Sequence, residues 1–291
     1  MGGVDIPIHT PVDNVDNLVE KKCGLYVLKR GVVDKLWEEK EVHLGDKKGQ
    51  FSIHPMGDRA VRLSFGREIS PQLHRRVRQW CRLLQSNPLV GIEEWVPTYG
   101  SVTIYYNPYE VNYTMLVEQL YQLHADKHEE RFSPRRLKIP VCYEKELGVD
   151  LVDVACIHHV SEEEVIREHS RPDYLIYMIG FTPGFPYLGG MSSRIATPRL
   201  ATPRPYVESG SVGIAGTQTG VYPISSPGGW RIIGRTPIPL LDWNDPELVP
   251  YRAGDYLRFI PISRAVYHQI EQEVKAGEYR ISSTSKGEKN D

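Results

Sequence analysis

Residues 180–239 hold the side chains best suited to chemistry: 11 glycines and 9 prolines shape the backbone, and five arginines face one acid, Glu208. Arg194, Arg199, Arg204, Arg231 and Arg235 give this block a formal charge of +4 in a chain whose net charge is −2. A guanidinium is a rigid fork of donors suited to carboxylate and phosphate, so an anionic substrate or intermediate is the expected ligand. Pro198-Arg199 and Pro203-Arg204 hold their arginines in extended local backbone because proline fixes its own φ. Taken singly, each reads more readily as a solvated loop charge than as a ligand.

The surrounding loops add neutral polarity. In ESGSVGIAGTQTGVYP the glycines permit bends and close backbone approach, and Gln218 and Thr219, two hydrogen-bonding groups inside a glycine turn, are the stronger polar candidates. SSPGGW contributes Ser225 and Ser226 before a tight turn, and Trp230 is either a pocket cover or a core anchor. His169 follows Val165 and Ile166 by four and three residues, on or beside the apolar face of its helix. It reads as a satisfied core histidine or as an acid, base or substrate ligand.

Several chemistries lack their signature. GxxxxGK[ST], GxGxxG and GxSxG are missing from the block, so autonomous nucleotide hydrolysis is not expected. His158-His159 lacks the HExxH context, and Glu162–Glu164 fit helix capping better than a zinc site, so no metal site is expected. Asp242 and Asp255 are possible acids, each with a turn-like setting that also explains it. Cys23, Cys81, Cys142 and Cys156 are too dispersed for a metal knuckle and too sparse for a disulfide scaffold.

Readable elements must position these groups. Val61, Leu63 and Phe65 alternate as in a half-buried strand, and Leu73, Val77, Trp80, Cys81 and Leu84 form a helical stripe. SVTIYY (101–106) alternates again, and Leu116, Leu120 and Leu123 recur at helical spacing. This strand–helix–strand–helix order predicts a compact α/β sandwich over 51–133. After a linker at RFSPRR (131–136) come LKIPV as a strand, a helix near 151–157 and a second helix opened by Ser161 and Glu164 in the form of a capping box. YLIYMI (174–179) reads as a covered central strand and LRFI (257–260) as a late one. The glycine-rich block reads as β-rich, with short strands and tight turns. Residues 1–50 read as a poorly specified extension with a short helix near Val32–Lys40, and 271–291 as a frayed tail.

Composition sets outer limits. With 40% hydrophobic and 25% charged residues the chain is an ordinary globular protein, and its charge offers no basic stripe for nucleic acid. No apolar run reaches the ~20 residues of a membrane span. MGGVDIPIHTP lacks the basic start and apolar run of a secretory signal, so a cytoplasmic location is expected.

IHPMGDRAVRLSFG, IGFTPGFPYLGG, TPRLATPRP and GSVGIAGTQTGVYPISSPGGWRIIGRTP together resemble the allophanate hydrolase subunit 1-type carboxyltransferase domains, the family of KipI and the 5-oxoprolinase B subunits. The likeness runs from about Phe51 to Ile262. It implies an α+β chain: the α/β sandwich, then a cyclophilin-like β-barrel over 134–270. It also implies a partner of the subunit 2 type (KipA-like, the C subunit of the oxoprolinases) and a third chain, which together use ATP and water to cleave 5-oxo-L-proline to L-glutamate. His169, Gln218 and Thr219 match signature positions expected to be catalytic. Arg199, Arg204, Ser226, Trp230, Arg235 and Thr236 match positions expected to bind substrate. The family implies two alternatives: an inhibitor of a sensor histidine kinase, its arginines meeting an acidic protein surface, and a carboxyltransferase component akin to that of urea carboxylase.

Overall fold

The computed structural model describes residues 18–22, 25–28, 51–125, 133–180, 182–242 and 249–285, and the chain divides into two units, 1–50 and 51–291. In the first unit β1 (Leu18–Lys22) and β2 (Leu25–Leu28) pair antiparallel. The helix expected near Val32–Lys40 lies outside the described residues.

The second unit opens with β3 (Ser52–Pro55), β4 (Ala60–Ser64), α1 (Pro71–Ser86), β5 (Ile92–Pro97), β6 (Ser101–Tyr106) and α2 (Tyr113–Ala125). The strands form an antiparallel sheet in the order β3-β4-β6-β5. Val61 lies opposite Ile104 and Leu63 opposite Val102, all four fully buried. They face Val77, Trp80 and Leu84 of α1 and Leu116 and Leu120 of α2. Burying each such aliphatic side chain is worth roughly 1.5–3 kcal/mol. Ser70 starts α1 by accepting the Leu73 N–H at 3.3 Å, with Pro71 in the first turn. β5 escapes the sequence reading because Glu93 and Glu94 interrupt its alternation, leaving Ile92 and Trp95 only half-buried.

The chain continues through β7 (Arg135–Val141), α3 (Leu151–His158), α4 (Glu162–Ser170), β8 (Tyr174–Ile179) and β9 (Pro186–Gly189). β10 (Arg204–Val207), β11 (Ser211–Ala215), β12 (Gln218–Val221), β13 (Ser226–Gly228) and β14 (Arg231–Arg235) follow. β15 (Tyr256–Pro261), α5 (Arg264–Lys275) and β16 (Ser283–Ser285) end the described chain. Ser161 Oγ accepts the Glu164 N–H at 3.2 Å and caps α4. The Glu164 carboxylate turns instead to Arg194.

The cyclophilin-like barrel is not what these strands build. They form three separate sheets, β16-β7-β15-β8-β9, β12-β11-β14 and β10-β13, none closed or strongly curled. A barrel needs one unbroken ladder of hydrogen bonds. Here Pro205 and Pro227 sit inside three- and four-residue strands and remove donors, and the register slips between Val212 and Gly213 and between Ile176 and Met178. Single bridges, Cys142 to Arg235 and Thr197 to Gly216, link segments where longer ladders would be needed.

The five-stranded and three-stranded sheets share much of their interior. Leu137, Ile139 and Phe259 of the five-stranded sheet pack in one cluster with Val154, Val165, Val212, Ile214 and Ile233. The C-terminal tail also departs from expectation. Residues 264–275 are helical, and β16 pairs antiparallel with β7, Ser283 opposite Leu137.

Candidate functional site

The concentrated positive charge of 180–239 is largely neutralised in space by carboxylates from distant segments. Arg194 pairs with Glu164 at 2.7 Å and Glu168 at 3.2 Å, and Arg231 with Asp153 at 3.1 Å. Arg235 pairs with Glu208. Arg204 forms a fork with Asp150, at 2.6 and 2.9 Å, and Asp150 Oδ2 also accepts the Ile232 N–H at 2.6 Å. Asp150 is buried, so this pair ties the start of α3 to β10 and β14. Arg199 differs. It is exposed, lies 5.9 Å from the centre of the Trp230 ring, and has no acidic partner among the described residues.

His169 and Thr219 meet, but inside the core. Both are buried, and the imidazole stacks on Phe259 with ring centres 4.6 Å apart. Its Nδ1 lies 2.8 Å from the Tyr143 hydroxyl and its Nε2 2.8 Å from Thr219 Oγ1. Thr219 spends its hydroxyl proton on Gly213 O at 3.0 Å, so it accepts from His169 Nε2–H. Nδ1 then accepts from Tyr143. Every polar position of this neutral tautomer is filled. Burial drives the His169 pKa down to about 3, so the ring stays uncharged near neutral pH.

The other expected positions serve varied ends. Thr236 is buried and its hydroxyl accepts the Ile238 N–H at 3.3 Å. Ser226 is half-buried at the end of β13, opposite Val207. Trp230 is a core anchor that also presents a ring to Arg199. Gln218 is half-buried and donates from Nε2 to the Tyr99 hydroxyl at 2.9 Å, reaching the loop between β5 and β6.

Tyr99 and Tyr187, neither a candidate site residue in the sequence, join these positions. Trp230 lies 5.5 Å from Phe185, Phe185 5.4 Å from Tyr187, and Tyr187 6.1 Å from Tyr99, ring centre to ring centre. Tyr99 in turn lies 5.2 Å from Tyr177, whose carbonyl takes a 2.9 Å hydrogen bond from the buried His74 of α1. Glycines leave room for this wall. A Cβ on Gly220 would sit 3.0 Å from Phe185 and 3.1 Å from Trp230, and one on Gly189 would collide with the Tyr177 ring. The linear signal for Tyr187 is its place in PGFPYLGG; Tyr99, far upstream and outside the glycine-rich block, offers none.

The donor set does not form a triphosphate cradle, because four of the five guanidiniums in the block are committed to carboxylates. Among the described residues no group of three or more His, Cys, Asp or Glu is placed to hold a metal ion. The described cysteines, Cys81, Cys142 and Cys156, are free thiols. Among the described residues no helix is long and apolar enough to cross a membrane.

Comparison with known proteins agrees with the resemblance seen in the sequence. Residues 51–250 match the family described as "Carboxyltransferase domain, subdomain C and D". The chain is 42% identical to the 5-oxoprolinase B subunit of Bacillus subtilis over 77% of its own length and 98% of the relative's. It is 44% identical to the corresponding B subunit from Haemophilus influenzae, over 72% and 97%. Among solved structures, TTHA0988 aligns at 35% identity with a TM-score of 0.63, over 70% of this chain and 40% of that longer one. Kluyveromyces lactis urea carboxylase, 19% identical, shares the fold with a TM-score of 0.66 over 80% of this chain and 24% of its own. The chain therefore belongs to the carboxyltransferase domain family of subdomains C and D, as a relative of the 5-oxoprolinase B subunits.

Proposed function

We propose that this chain is the B subunit of a multi-chain, ATP-dependent 5-oxoprolinase that opens 5-oxo-L-proline to L-glutamate. The observation that carries this reading is the 42% identity over 98% of a 5-oxoprolinase B subunit. A non-autonomous role fits the site: one arginine beside an aromatic wall, with no carboxylate partner among the described residues, suits binding, while ATP and the groups that use it belong to a KipA-like C subunit and a third chain. Lactam opening adds water across the C–N bond, giving the carboxylate and the amine. In this chain the buried His169–Thr219 pair and the committed Arg204 and Arg235 hold the wall in place rather than touch substrate. Ser226, Trp230 and Thr236 support the same strands.

The test is copurification of this chain with its two partner chains, followed by ATP-dependent glutamate formation from 5-oxoproline. Turnover is expected only when all three chains are present. A well-formed complex without turnover sinks the reading, and tight binding to a histidine kinase with loss of its autophosphorylation would replace it with a regulatory one.

A further inference from the structure

Arg199 is the one arginine of the block without a carboxylate among the described residues, and its exposed guanidinium faces the Trp230 ring at 5.9 Å. A cation with no carboxylate partner among the described residues, set on an aromatic platform, is a natural anchor for a carboxylate. At the other end of the wall, Gln218 and Tyr99 spend one hydrogen bond on each other, at 2.9 Å. With Gln218 Nε2 donating, Oε1 remains as an acceptor and the Tyr99 O–H as a donor. With the amide turned over, the free acceptor is the Tyr99 oxygen and the free donor is Nε2. Either way the pair offers at least one donor and one acceptor, enough to complement a single secondary amide. Burial raises the Tyr99 pKa to about 12, so its hydroxyl keeps its proton.

Tyr187 bridges the two ends. Its ring lies 6.1 Å from that of Tyr99. Burial raises its pKa and the nearby Arg199 charge opposes that rise, so it lies within the field of the guanidinium. A cation, a run of aromatic rings in edge-to-face contact and a paired donor and acceptor thus lie along one wall, contributed by both the 51–125 and the 133–285 segments.

We propose that Arg199 and the Gln218–Tyr99 pair form the two ends of a binding site for a small cyclic amide bearing a carboxylate, with Tyr187 and Trp230 as its apolar floor. This inference rests on the oxoprolinase reading and specifies the substrate class and the pose: carboxylate on Arg199, lactam N–H and C=O on Gln218 and Tyr99. It brings Tyr99, from outside the glycine-rich block, into the site.

The test uses the full chain and the assembled three-chain complex. Titration calorimetry compares 5-oxo-L-proline with 2-pyrrolidinone, which lacks the carboxylate, and with L-proline, which lacks the lactam carbonyl. The wild-type protein is expected to prefer 5-oxoproline to both. Arg199→Ala should weaken 5-oxoproline about tenfold or more while leaving 2-pyrrolidinone unchanged, with Arg199→Lys recovering part of the loss. Gln218→Leu and Tyr99→Phe should each raise KM several-fold, about what one lost hydrogen bond costs, and weaken both lactams. Wild-type KM and affinity in folded, copurifying Arg199→Ala and Gln218→Leu proteins overturn the site. So does loss of copurification by Arg199→Ala at an unchanged KM, which makes Arg199 an assembly contact. A wild-type complex that binds 5-oxoproline in this pattern but does not turn it over keeps the site and sinks the oxoprolinase reading.

Discussion

His169 illustrates how a residue that can do chemistry is put to structural use. Its two nitrogens are filled by Tyr143 and Thr219, from segments 26 and 50 residues away, so the choice between core histidine and catalyst stays open until those partners are placed. Its folded pKa, about 3, lies below the ordinary 6.5. A histidine that resists protonation in the folded state contributes stability that is complete above pH 6.5 and is lost as pH falls toward 3. His74, lowered by burial and then by Arg78 to about 4, acts in the same direction. Unfolding free energy measured by urea titration should therefore decline from pH 6.5 to 4, by up to ~1.4 kcal/mol per pH unit for each histidine. His169→Gln should be less stable at pH 7 and show a shallower decline; an unchanged slope contradicts this account. Arg204 makes the companion case. Arg204→Ala strands the buried Asp150 carboxylate, at a cost of roughly 3 kcal/mol in urea unfolding. Arg199→Ala, an exposed position, should change stability by less than about 0.5 kcal/mol.

Elements with regular patterns are legible in the sequence, and short ones are not. β4, β6, α1 and α2 follow from alternation and helical spacing because each buries one face against a common core. β9 to β14 contain three to five residues each, too few for periodicity to fix their pairing. Their composition predicts β structure and turns, but sheet closure depends on register, which is broken by prolines and bulges whose effect is set by neighbouring strands. Glycines in these strands are required where aromatic rings cross them. Gly220→Ala should displace Phe185 or Trp230 and cost about 1–3 kcal/mol, read as a lower Tm with altered near-ultraviolet circular dichroism. Gly216→Ala meets nothing within 4 Å, but its φ of +58° predicts a smaller loss from backbone strain alone.

For the molecule as a whole, β16 covers one edge of the five-stranded sheet, a role invisible in ISSTS, which has no hydrophobic alternation. A chain truncated after Gly277 exposes the β7 edge. It should melt at a lower temperature and self-associate more in sedimentation velocity than the full chain; identical behaviour would show that β16 is dispensable. The linear sequence is enough to establish the family, the positions of the longer elements and the location of the glycine-rich signature, since these depend on local patterns and residue order. Folding settles which charges remain available. The block's +4 is an arithmetic fact of the sequence, but Asp150, Asp153, Glu164 and Glu168 come from outside it and Glu208 from within, and among the described residues they leave only Arg199 of its guanidiniums without a carboxylate. Coulomb attraction and hydrogen bonding act through distance in space, so the partners of a charge, and with them its freedom to meet a ligand, emerge only when remote segments are brought together.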